Sequence, residues 1–428
     1  MPNRRIAGLS TLFRVALAVS LCAALAGCSM FALKRDLERM DAVARISGTI
    51  AREDPSRNPI IVGLLEQRVA RDAVVDYTVL REPGEFSFLA KAGTYFVLAY
   101  EDTNGNLSYD QGEPAAFHGD PSPLEVVAGE ILDGLTLELS STVSLTLHAD
   151  PQQRVDTPPP NLRRSTQNIG ERATLDDERF ARDVGSMGMW EPVSFAREHG
   201  LGVFLLEEYD PARIPVVFVH GLAGTPRDFT AAIERLPRDR YQPWVFHYAS
   251  GLPVEVTAEY LEKALMELQV KLGFERYAVV AHSLGGLVAR RFVNRIHDHA
   301  ALLPSALVTF STPWGGHEGA RMGVKHSPQV VPVWRDQVPG SALLTALFLA
   351  PLPTETPHFL LFGYAGDSMM MSGADDGVVS VASQLHMPAQ EGARRVYGFD
   401  ANHVGILSHP GALRVFYRAL ERSLDDRE

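Results

Sequence analysis

The chain has 428 residues, 46% hydrophobic and 21% charged, an ordinary globular composition with room for one large domain and one small one. With 52 acidic against 40 basic residues the formal charge is −12. That balance argues against a nucleic-acid binder, and no basic run stands outside the extreme N-terminus.

The first residues read as an export signal rather than as part of a fold. Arg4, Arg5 and Arg14 precede an apolar run from Val15 to Leu25, too short for a comfortable membrane span. The ending Leu25-Ala26-Gly27-Cys28 resembles a bacterial lipobox. That resemblance implies a signal peptide over 1–27, cleavage before Cys28 and lipidation of Cys28. Ser29 follows, not aspartate, so the implied destination is the outer membrane of a bacterial envelope. The only cysteines are Cys22 and Cys28. The first leaves with the signal and the second is lipidated, so the mature chain has neither free thiol nor disulfide. Loss of three arginines takes the formal charge from −12 to −15, and attachment then depends on acyl chains rather than on anionic lipid. Residues 28–45 are expected to be a tether.

Residues 46–148 alternate with period two between Gly, Pro, Asn and Asp clusters, as in Glu85-Phe86-Ser87-Phe88-Leu89 and Gly93-Thr94-Tyr95-Phe96-Val97. The pattern predicts a small antiparallel β-sandwich. The order of these motifs resembles prealbumin-like or carboxypeptidase-regulatory sandwiches. One loop places oxygen side chains at Asp102, Asn104, Asn106, Asp110 and Glu113, the donor type a structural calcium takes. It resembles an EF-hand-type loop, but Leu107 stands where glycine belongs and strands flank it. A hairpin tip supported by Asn and Gly accounts for it equally well.

Pro151 and Pro158-Pro159-Pro160 mark a stiff linker, and residues 149–200 form a linker and lead-in with a short helix. Residues 201–428 then alternate strands with helices. Pro215–Val219, Pro243–Phe246, Tyr277–Ala281, Ala306–Phe310, Phe359–Gly363 and Arg395–Gly398 read as strands. Pro226–Leu236, Val254–Leu272, Leu284–Ile296 and Gly411–Leu424 read as helices. Serial βα units predict a doubly wound α/β fold with a mainly parallel sheet and ligands at the carboxyl ends of the strands.

Ala281-His282-Ser283-Leu284-Gly285 sits between a buried strand and a helix, the setting of a strained turn that exposes a serine hydroxyl. Three further loops fall at strand ends: His220-Gly221-Leu222-Ala223-Gly224, Ala374-Asp375-Asp376-Gly377-Val378-Val379, and Asn402-His403-Val404-Gly405. Asp375 and Asp367 compete with Asp376 for an acid role, and His409 stands near His403. Together with Phe310-Ser311-Thr312-Pro313-Trp314-Gly315-Gly316, these motifs resemble the lipase and GPI inositol-deacylase-like group of α/β-hydrolases over about 201–424. The resemblance implies a Ser283–His403–Asp376 catalytic triad, an oxyanion hole from the N–H groups of Leu222 and Leu284, ester hydrolysis through an acyl-enzyme, and no cofactor for catalysis.

The insertion at about 314–353 is read either as a cap carrying acyl-pocket walls or as apolar surface packed on the sheet. Thioesterase, amidase and acyltransferase chemistry share the same triad. A silent hydrolase fold serving as a lipoprotein scaffold is the non-enzymatic alternative. The expected partners are an ester substrate, lipid among the candidates, and the membrane through Cys28. The sequence names no protein partner for the sandwich and carries no nucleotide, flavin or zinc motif.

Overall fold

Residues 29–52, 56–67, 73–118, 122–143, 168–366 and 373–424 are described by the computed structural model. The expected signal segment with Cys28, the proline run and Asp367 lie outside them. The expected tether is a helix, α1, over residues 29–41. Its period brings Leu33 and Asp36, both fully buried, to one face against the region of the large sheet.

Alternation then builds two small sheets. β1 (Ala44–Arg52) turns Ala44, Ile46 and Ile50 inward. It is followed by β2 (Ile60–Glu66), β3 (Ala73–Leu80), β4 (Glu85–Ala90), β5 (Gly93–Glu101), β6 (Ala115–His118), β7 (Leu124–Val126) and β8 (Ile131–Leu139). One sheet has the order β4-β1-β8 and the other β3-β2-β5-β6, with β7 on β5. Phe86, Phe88 and Leu137 of the first share a core with Val62, Leu64 and Val97 of the second. One pair departs from the expected antiparallel pattern. β1 and β8 run parallel, with a register shift between Ile46 and Gly48. A methyl group at Gly48 would collide with the Leu135 carbonyl, so glycine permits that approach.

The lead-in holds two short helices, α2 (Arg182–Trp190) and α3 (Pro192–Glu198). The large sheet follows: β9 (Gly202–Leu205), β10 (Ile214–Val219), β11 (Tyr241–His247), β12 (Ala278–His282), β13 (Ala306–Phe310), β14 (His358–Gly363) and β15 (Arg395–Phe399). Its order is β15-β14-β13-β12-β10-β11-β9. Every pair is parallel except β9 with β11. The central strands are apolar on both faces, as a doubly covered parallel sheet requires.

Pro226 starts a 3-10 turn, Pro226–Phe229, closed by a capping box between Thr225 and Asp228. The expected 226–236 helix therefore shrinks to α4 (Thr230–Glu234). α5 (Val254–Leu272) and α6 (Leu284–Arg295) cover one face of the sheet. α12 (Pro410–Leu424) covers the other with α4, through Phe416 and Leu420 against Val216, Phe218 and Val308. Between β13 and β14 the insertion forms α7 (Glu318–His326), α8 (Pro332–Gln337) and α9 (Ala342–Ala346). Val331, Val333, Leu344 and Leu347 are buried in the core of the α5–α6 face. The buried Arg290 guanidinium donates to the carbonyls of Leu347 and Ala350. Much of the insertion's apolar surface is therefore core. Two more short helices, α10 (Val381–Gln384) and α11 (Met387–Glu391), precede β15.

This is an α/β-hydrolase sheet preceded by small, mostly antiparallel sheets. The two regions meet along α5. Tyr77 Oη donates to Glu267 at 2.7 Å, Arg81 to Gln269 at 2.7 Å, and Lys263 Nζ to the Ser87 carbonyl at 2.7 Å.

Candidate active site

The chain passes from β10 out to β11 and returns across β10 to reach β12, so β10 and β12 flank the point where strand order reverses. Open α/β sheets bind ligands at such a point. Ser283 follows β12 there with φ 52° and ψ −125°, a conformation costing on the order of 1–3 kcal/mol for a non-glycine residue. The neighbours hold it in place. Its N–H donates to the Phe310 carbonyl at 2.9 Å, and its carbonyl accepts from Gly286 N–H at 2.9 Å. A methyl group at Gly285 would collide with the carbonyls of Val219 and His220, so α6 can pack this close only with glycine there. Ala281 is fully buried and its single methyl fits the turn.

The turn aims the serine at a hydrogen-bonded relay. Ser283 Oγ lies 3.0 Å from His403 Nε2, and His403 Nδ1 lies 2.7 Å from Asp376 Oδ2. The carboxylate requires the proton on Nδ1, which leaves Nε2 free to accept from the serine hydroxyl. Asp376 Oδ1 accepts from the N–H groups of Val378 and Val379, and the Asp376 carbonyl accepts from His403 N–H at 2.7 Å. Burial opposes ionisation of Asp376. The hydrogen bond and charge of His403, with the two N–H groups, outweigh it and hold the carboxyl below its usual range. The serine, imidazole and carboxylate are all buried, with the serine 8% exposed.

The competing residues have other partners. Asp375 Oδ1 accepts from Gly377 N–H at 2.6 Å and its carbonyl from Gly366 N–H, which shapes the loop. His409 packs on Phe399 and accepts from Ala412 N–H at the start of α12. The loop after β10 comes close to the nucleophile. A Cβ on Gly221 would lie 3.0 Å from Ser283 Cβ. Ala223 takes φ 52°, and its N–H donates to Ser250 Oγ. Leu222 follows Gly221 and Leu284 opens α6, so both N–H groups border the serine's turn. Among the described residues neither N–H has a partner within the fold.

Two histidines unassigned by sequence reasoning hold the relay. His282 Nε2 donates to the His403 carbonyl at 2.8 Å, and the two rings lie 4.8 Å apart. Burial depresses His282 to about 3, so it stays a neutral donor. His317 accepts from Ala320 N–H through Nδ1 and donates from Nε2 to the Val378 carbonyl at 2.7 Å. This ties α7 to the acid loop. His282 adjoins the serine, and that adjacency is its only signal in the sequence.

The 102–113 loop does not fit a calcium cage. The Asp102 carboxylate accepts from the N–H groups of Gly105, Asn106 and Leu107. Asn104 and Asn106 turn their amide nitrogens toward Asp110, and Glu113 accepts from Thr103 and Asp110. The oxygens close the loop on itself. Among the described residues no group of three or more His, Cys, Asp or Glu is placed to hold a metal.

Residues 213–372 match a family model described as "Putative serine esterase (DUF676)". The match includes Ser283 and the loop after β10, and stops before Asp376 and His403. No curated protein matches the chain. Among solved structures, a gene product of Listeria innocua is similar at 16% identity and TM-score 0.39, covering 50% of this chain and 96% of that one. A lipase of Bacillus licheniformis in its propeptide form is similar at 19% identity and TM-score 0.38, over 50% of this chain and 52% of that one. An α/β hydrolase from a lagoon-sediment metagenome is similar at 17% identity and TM-score 0.36, over 52% of this chain and 99% of that one. The region bearing this site is thus similar, over residues 213–372, to a putative serine esterase family, and its sheet has the strand order of an α/β-hydrolase fold.

Proposed function

We propose that the protein is a lipid-anchored hydrolase of carboxylic esters, working through a Ser283–His403–Asp376 triad. The hydrogen-bonded relay at the carboxyl end of β12 carries this reading. Ser283 Oγ attacks the acyl carbon as its proton passes to His403 Nε2, and the carbonyl π electrons move onto oxygen. The Leu222 and Leu284 N–H groups stabilise that oxyanion, aided by the positive end of α6. Collapse expels the alcohol, which takes the proton from His403. Water, deprotonated by His403, then attacks the acyl-serine and releases the acid. Asp376 holds the imidazole in its tautomer and stabilises its cation. The chemistry needs no metal.

Lipidation of Cys28 supplies the membrane attachment, to the outer membrane by the serine that follows it. The substrate is an ester, lipid esters included. Hydrolysis of p-nitrophenyl esters from acetate to palmitate, wild type beside Ser283→Ala, tests the chemistry. Activity falling by several orders of magnitude in the variant supports it, and equal rates exclude it. The mass of the N-terminal peptide tests the anchor.

A further inference from the structure

The mature N-terminus has no slack. α1 begins by residue 29, and Asp36 fixes it to the hydrolase domain. That carboxylate, fully buried, accepts from the N–H groups of Val193 and Ser194 and from Ser194 Oγ, at 2.8–2.9 Å, and so caps α3. Arg39 bridges Asp36 and Ser194 from within α1, and Arg35 pairs with Glu191 at 3.0 Å. Leu33 fills the domain core. At its start, Met30 Sδ lies 3.8 Å from Ser327 Oγ, at the end of α7. Ser29 is one peptide, about 3.8 Å between Cα atoms, from Cys28. An acyl chain on Cys28 therefore enters the bilayer beside the α1–α7 corner.

Each of the two helices exposes one large apolar side chain. Phe31 is 78% exposed, on the side of α1 opposite Leu33 and Asp36. Met322 of α7 is 53% exposed, and Ala320 is the one buried residue in that helix. Lys34 and Arg35 of α1 and Arg321 and Lys325 of α7 are exposed as well, with Lys34 beside Glu38, Arg35 on Glu191 and Arg321 beside Glu318, and long basic side chains can keep their stems on apolar surface with their charge at the headgroups. α7 runs nine residues, about 13 Å, from this corner to His317 and the acid loop. At that end Val378 and Val404 are exposed beside Asp376 and His403.

We propose that the α1–α7 corner, with Phe31 and Met322 at its centre, is a membrane-docking face, and that the anchor holds the hydrolase flush on the phospholipid surface rather than on a flexible stalk. The occupant is the bilayer that receives the Cys28 acyl chains, so the proposal rests on lipidation of Cys28. Its consequence is orientation: α7 spans from the lipid surface to the catalytic loops, and an ester drawn from the membrane travels about one short helix to reach Ser283.

The test uses the full lipidated protein in phosphatidylcholine–phosphatidylglycerol vesicles. Lipidated Cys28 leaves no other thiol, so Phe31→Cys, Met322→Cys and Arg414→Cys each take one environment-sensitive fluorophore. Arg414 is exposed on α12, over the opposite face of the large sheet. Probes at 31 and 322 are expected to shift to the blue and to be quenched at least twofold by acyl-chain-brominated lipid, while the probe at 414 is not. Co-sedimentation with no quenching at 31 or 322, or equal quenching at all three, overturns the docking face and leaves the anchor standing. Failure to co-sediment, with an unmodified N-terminal peptide, removes the anchor and the proposal with it. The readout needs no enzymatic activity, so the ester-hydrolase reading fails or survives separately.

Discussion

Acid is predicted to unfold the hydrolase domain through its buried histidines. His220 is depressed to about 4, His282 to about 3 and His358 to about 3, each by burial. His247 is held well below its ordinary value by burial, then by His220. A histidine whose folded value lies below its unfolded value of about 6.5 takes up its proton only in the unfolded chain between the two. Stability is therefore complete above that pH and is lost as pH falls toward the folded values. From pH 7 to pH 5 each such residue shifts the balance by about 2 kcal/mol. His220, His282 and His358 together account for about 6 kcal/mol, on the scale of a domain's whole stability of about 5–15 kcal/mol. The perturbation that isolates one share is His247→Phe. The ring already lies among Phe180, Phe195 and Phe204, with centroids 4.8–6.3 Å away. Trp190, Trp244, Trp314 and Trp334 are the only tryptophans in the chain, so tryptophan emission during urea unfolding reports the hydrolase domain. The wild type is predicted to lose most of its urea midpoint between pH 7 and pH 5, and His247→Phe to lose less of it over the same range. A midpoint independent of pH, or a variant that loses as much as the wild type, refutes the reasoning.

Removing the His282 imidazole frees the His403 carbonyl, so His282→Ala is predicted to lower kcat at least tenfold with little change in KM. His282→Gln, which can still donate, recovers part of the loss. The acid limb of kcat/KM keeps its shape in both, because His282 is already neutral there. Asp36→Ala uncaps α3 and leaves buried donors unpaired, which costs about 1–3 kcal/mol. Limited proteolysis within residues 29–41 is predicted to accelerate before any change in ester turnover. EDTA or millimolar calcium is predicted to leave the melting temperature within about 1 °C, since the carboxylates of the 102–113 loop already serve its own N–H groups. A calcium-dependent rise of several degrees would contradict that account of the loop.

Much of the fold is legible because local chemistry and global fold agree. A run of apolar residues predicts a strand covered on both faces, and β10, β12 and β13 are such strands. The elbow is legible because a strained turn beside a packed helix tolerates only small residues, as Gly285 illustrates. Asp376 and Asp375 are harder to separate from sequence, since both sit in one polar turn and only the direction of each carboxylate distinguishes them. The role of α1 has no local signal. Asp36 and Ser194 are 158 residues apart, and a short mixed-charge stretch after an expected signal segment reads as a tether until its partner is in view. The parallel β1–β8 pair is hidden for the same reason, because alternation fixes a strand's faces and not its neighbour's direction. The 102–113 loop shows the limit of spacing alone. Oxygen side chains at metal-ligand positions serve equally to close a turn, and their hydrogen bonds decide between the two.

The most direct measurement is labelling by a fluorophosphonate, with the adduct located by mass spectrometry in the wild type, Ser283→Ala and His403→Ala. A nucleophile activated by the relay gives one adduct, on Ser283, in the wild type, none in Ser283→Ala, and labelling slowed by orders of magnitude in His403→Ala. An unlabelled wild type, or a label that persists in Ser283→Ala, would contradict the account.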